Sequence, residues 1–159
     1  MTPRTYISLI GPSEASAEVL GIAEEAGACI AKAGAVLVTG GGRGAMEAAC
    51  RGAKLAGGST LGILPGNSRY EGNPWLDMSV PTGMGEMRNV LVVRSSDAVL
   101  AVGGGFGTLS EIALALKLDK PIAGIDTWSA AVGPQAAPIP LAASPAQAVR
   151  ILLQTLGDA

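Results

Sequence analysis

Short apolar runs that end in glycine and lead straight into helical spacing constrain this chain more than anything else in it. The clearest is "AVLAVGGGFGTLSEIALAL", residues 98–116. Five apolar residues suit a buried strand, and three glycines then free the backbone for a turn of special geometry. A run with helical spacing follows and ends at Leu116. "TGGGRGAMEAA" (39–49) repeats the arrangement. Strand and helix alternate along the chain, and the strands are apolar on both faces. That pattern belongs to a parallel sheet covered on both sides. The expected fold is α/β, an open Rossmann-like parallel sheet with helices on both faces, formed as one domain over residues 1–159.

Strands are expected at 5–11, 35–41, 59–66, 76–83, 97–105 and 120–126. Helices are expected at 13–34, 44–58, 85–96, 107–119 and 144–157. Ser13 reads as the cap of the first helix and Gly34 as its stop, while Ser144 caps the last helix with Pro145 at its first position. Two segments stand outside the alternation. Residues 65–75 form a polar, turn-rich loop carrying Arg69, Tyr70 and Trp75; residues 129–143 are rich in Pro and Ala and carry no clear pattern.

Composition narrows the chemistry. The chain is 48% hydrophobic but only 3% aromatic, so the core must be built from Ala, Val, Leu and Ile. There is no histidine, which removes a histidine base and the usual zinc sites. No metal site and no resident cofactor are expected. Cys29 and Cys50 lie in helical segments without metal spacing, as reduced buried thiols of a cytoplasmic protein would. A net charge of −2 with no basic block argues against nucleic acid as a partner. No apolar stretch reaches about 18 residues without a charge, so no membrane span is expected. The start of the chain has no signal-peptide pattern, since "YISLI" stops at Gly11-Pro12.

The glycine turns carry the functional signal. In an open parallel sheet, ligands bind beyond the carboxyl ends of the strands. The first N–H groups of a helix lack partners and carry part of the helix dipole, so they suit an anion. Gly40, Gly41, Gly42 and Gly44 in the first turn, and Gly103, Gly104, Gly105 and Gly107 in the second, are candidate phosphate-binding positions, with the Thr108 hydroxyl beside them. The alternative is that the glycines only permit tight turns. No Gly-Lys-Ser/Thr follows either turn, so a P-loop is absent. Asp126 after the following strand resembles the ribose-binding acid of an NAD unit, but Thr108 stands where that fingerprint needs glycine. Thr108-x-x-Glu111 has the spacing of a capping box, which is the structural reading of Glu111. Arg88 taken alone reads as a surface arginine.

"MRNVLVVRSSDAVLAVGGGFGTLSEIALALKLDKPI" resembles the LONELY GUY (LOG) superfamily, and the resemblance spans about residues 5–126. The family pattern is an arginine before a strand, then P-G-G-x-G-T-x-x-E. It falls here on Arg88 and on Gly103 to Glu111, and "GGGRGAME" matches the family's first glycine turn. The resemblance implies hydrolysis of the N-glycosidic bond of a nucleoside 5′-monophosphate, releasing free base. Arg88 and Glu111 would be the catalytic residues, with the 5′-phosphate on the glycine turns. The chain departs at Gly103, where the family has proline, and at Asn89, where it usually has lysine. Both departures resemble a shorter branch that includes carrier proteins for the molybdenum cofactor, a phosphate-bearing pterin. The resemblance also implies a homodimer or larger homo-oligomer. The apolar stripe "VLVVR" (90–94) would serve as interface or as core.

Overall fold

The computed structural model describes residues 4–157. Six parallel strands form one sheet: β1 (Tyr6–Ile10), β2 (Val36–Thr39), β3 (Ser59–Leu64), β4 (Met78–Pro81), β5 (Ala98–Val102) and β6 (Ile122–Ile125). Their spatial order is β4-β3-β2-β1-β5-β6. The α-helices are α1 (Ala17–Lys32), α2 (Ala45–Leu55), α3 (Asn89–Arg94), α4 (Phe106–Lys117) and α5 (Pro145–Gly157).

Alternation along each strand sends side chains to two cores. Ile7, Leu9, Leu37, Ala98, Leu100 and Val102 meet α1, α2 and α5 on one face. Ile10, Val38, Val99 and Ala101 meet α3 and α4 on the other. Both faces are apolar, which is why the strands read as continuous hydrophobic runs. In the 90–94 stripe, Val92 and Val93 are fully buried in the second core and Leu91 packs against it, while Arg94 is exposed. The poverty in aromatics shows where α1 crosses α2. A Cβ on Gly27 would stand 1.9 Å from the Ala49 carbonyl oxygen, and one on Gly52 would stand 1.9 Å from that of Glu24. The two helices touch backbone to backbone there. Cys50 is fully buried beside them, and burial pushes its thiol pKa up.

Two expectations change, and one segment without a clear pattern acquires structure. The first helix starts at Ala17 rather than near residue 13, because Ser16 takes the capping role and accepts from the Val19 N–H at 3.3 Å. Ser13 and Ser16 offer the same capping chemistry, so sequence did not separate them. The expected helix over 85–96 divides into a 3₁₀ turn, Gly85–Arg88, and the shorter α3. Gly83 and Gly85 hold φ of +64° and +56°, which bends the chain before it can become regular helix. Residues 129–143 hold a small antiparallel hairpin, Ala131–Val132 with Gln135–Ala136, and return to bridge Gly124 through Leu141.

Candidate functional site

β1 feeds α1 and the chain turns toward β2; β5 feeds α4 and turns the opposite way, toward β6. β1 and β5 are neighbours, with Ile7 beside Ala98 and Ile10 beside Ala101. The loops therefore part at this point, and a crevice opens beyond the strand ends. It holds a cavity of about 390 Å³, lined by Gly11, Pro12, Ser13 and Glu14 from one loop and by residues 104–108 from the other. Arg88, Glu111, Met46, Glu86 and Asn89 complete the wall. The volume lies within the range of small-ligand sites, about 300–1,000 Å³.

The second glycine turn opens onto this space. Gly105 caps α4 without any side-chain bond, and the first turn of the helix carries no acid. The first intrahelical bond of the turn runs from the Leu109 N–H to the Gly105 carbonyl at 2.9 Å. The N–H groups of Phe106, Gly107 and Thr108 thus precede the ladder and have no intrahelical acceptor. Thr108 is 2% exposed and its hydroxyl has no hydrogen-bond partner. An unpartnered buried hydroxyl at a helix start on a cavity wall is an unmet polar group.

Glu111 lies one turn further in. It is 7% exposed, and burial pushes its pKa up to about 7, against the attraction of Arg88. Helix α4 is capped at Gly105, so Thr108 is inside the helix and the Thr108-x-x-Glu111 capping box does not form. Arg88 is turned inward by the 3₁₀ turn. Its guanidinium donates to the Asn89 side-chain oxygen and, at 3.3 Å, to the Gly40 carbonyl, while Nε is buried without a partner. Burial lowers its pKa, and Glu111 and Glu86 oppose the shift. Arg88 and Glu111 are coupled through space rather than paired directly. The ion pairs among the described residues are Arg51–Glu24 and Lys54–Asp77.

The structure brings Gly104, Gly105, Gly107, Thr108, Arg88 and Glu111 to one cavity. It places the first turn behind the wall. Gly40 receives Arg88. The Gly41 N–H is taken by Thr39 Oγ1 at 3.0 Å, and the carbonyls of Gly41 and Gly42 accept from Asn73 Nδ2. Gly44 abuts the carbonyls of Pro12 and Ser13, and the Ala45 N–H donates to Pro12 O at 3.0 Å. Met46, from the start of α2, still reaches the cavity wall, while Gly44 and Glu47 line a separate cavity between α1 and α2. Gly103, at φ +66°, packs on Val19 and Pro12. Asp126 is exposed and does not line the cavity. Sequence reasoning missed the loop after β1. Gly11-Pro12 directly behind an apolar strand was the available signal, but it read only as a strand stop.

An open parallel α/β sheet with an anion-ready helix start at the parting of its loops defines a Rossmann-like protein with its crevice at the switch point. Within that class the chain belongs to the SLOG cluster4 family, which matches residues 4–149. It is 36% identical over 126 residues to a cytokinin riboside 5′-monophosphate phosphoribohydrolase of Mycobacterium tuberculosis, covering 73% of this chain and 67% of that one. The molybdenum cofactor binding protein of the phototrophic bacterium Rippkaea orientalis is similar at 35% identity with a TM-score of 0.88, covering 98% of this chain and 99% of that one. The Moco carrier protein of Chlamydomonas reinhardtii is similar at 34% identity and TM-score 0.85, covering 99% and 100%.

Proposed function

We infer that this protein binds and carries a phosphorylated heterocycle of the molybdenum-cofactor kind, a pterin bearing a phosphate. The observation that carries the reading is the start of α4, where an uncapped helix turn lines a cavity with room for a small ligand and the Thr108 hydroxyl lies buried in the wall without a partner. The helix dipole favours an anion there, and Arg88 is the one cation among the lining residues. Similarity to cofactor-binding and carrier proteins over nearly the whole length of each supports cargo holding. The test is calorimetry of the purified protein with molybdenum cofactor and with AMP, followed by chromatography of the AMP mixture. Binding of cofactor with no adenine released supports the carrier role. Failure to bind either compound refutes it.

Glu111 favours a second reading. A carboxyl held at a pKa of about 7 beside an arginine suits proton transfer at neutral pH, and the mycobacterial relative is named as a phosphoribohydrolase. Under this reading Glu111 orients water at the ribose and stabilises positive charge in the transition state. Release of adenine from AMP that stops in Glu111→Ala supports it.

A further inference from the structure

The rim of the cavity carries an aromatic pair that phosphate binding leaves unused. Phe106 opens α4 and lines the cavity. It is 84% exposed, a large apolar surface that folding normally hides. Its ring is nevertheless braced: it leans on Trp128 with centroids 6.0 Å apart and planes inclined at 32°. Trp128 is itself pinned to the same turn. Its indole N–H donates to the Gly105 carbonyl at 3.1 Å, and a Cβ on Gly104 would come within 3.0 Å of Nε1. Asn89, the amide on the wall, is tied to Arg88 and Ser110.

We propose that Phe106, braced by Trp128, is the stacking surface for the ligand's planar ring and selects phosphorylated heterocycles over sugar phosphates that carry no aromatic ring. The proposal rests on the reading of this cavity as a phosphate site. A phosphate at the α4 start leaves the rest of the ligand running along the rim, where the exposed ring waits. Stacking needs a flat π-face and tolerates its identity, so Phe106 selects a class of ring rather than one base. Asn89 is already engaged and so is not free to read the edge of the ring.

Calorimetry on the full chain tests this with three probes: AMP, a pterin monophosphate and ribose 5-phosphate. Phe106→Ala is expected to weaken the two probes that carry a heterocyclic base about tenfold. Ribose 5-phosphate should stay within about twofold, and Phe106→Trp should restore ring binding. Equal weakening of all three probes, or none, overturns the stacking role while leaving the phosphate site standing. Wild-type protein that binds none of the three overturns the phosphate site, and the stacking role with it. Wild-type protein that binds ribose 5-phosphate as tightly as AMP overturns the claimed selectivity.

Discussion

Replacing Glu111 by glutamine keeps the shape of the side chain and removes its titration. Folding raises this carboxyl from 4.5 to about 7. Below pH 4.5 folded and unfolded chains both hold the proton, and the group has no pH-dependent effect. Between 4.5 and about 7 the unfolded chain gives up the proton and the folded chain keeps it, so stability falls as pH rises. Above about 7 the loss is complete. At about 1.4 kcal/mol per pH unit, the full difference is about 3 kcal/mol. With the side chain 7% exposed, solvent screens little of it. Urea denaturation of wild type and Glu111→Gln at pH 5, 6, 7 and 8 should show the variant gaining on wild type up to pH 7, then holding a constant lead. The wild-type curve should carry the slope and the variant should lose it. A difference between the two that stays flat from pH 5 to 8 would refute the reasoning, because Glu111 would then ionise as an exposed carboxyl does.

Two further substitutions separate binding from folding. Thr108→Val keeps the volume and deletes the orphaned hydroxyl, so it should leave apo stability unchanged or raise it by up to about 1 kcal/mol, while weakening phosphate probes several-fold. Denaturation and calorimetry on the same preparation check both halves. At the α1–α2 crossing, Gly27→Ala drives a methyl into the Ala49 carbonyl and should cost about 3 kcal/mol or more. Gly21→Ala, in the same helix with nothing within 4 Å of the new methyl, should stabilise by about 0.5–1 kcal/mol. Thermal melts of the pair make the comparison.

The sheet was legible because its signal is local. Strands such as "AVLAV" are buried on both faces, and a glycine turn follows at once. Strand order was not local: nothing in "YISLI" says that it pairs with residues 98–101 as well as with 36–38. The site was half legible for the same reason. Gly104 to Thr108 announce a helix start, and the family pattern pointed to Arg88 and Glu111. The two triple-glycine turns looked equivalent on paper, yet glycines of the second line the crevice cavity and those of the first do not. Asn73, Arg88 and the Pro12 carbonyl tie down backbone groups of the first, and each arrives from a distant part of the chain. Trp128 was illegible as a brace because its partner, Gly105, offers only a backbone oxygen.

The pairing of β1 with β5 fixes when the cavity comes into being. Its two walls, residues 11–14 and 104–108, meet only after residue 7 has found residue 98. During synthesis, a nascent chain that stops short of β5 carries the 11–14 loop but lacks the uncapped helix start that faces it, so the cavity has only one of its two walls. Ligand added to a refolding mixture should therefore slow unfolding without hastening the early collapse, and a truncated N-terminal fragment should ignore it altogether.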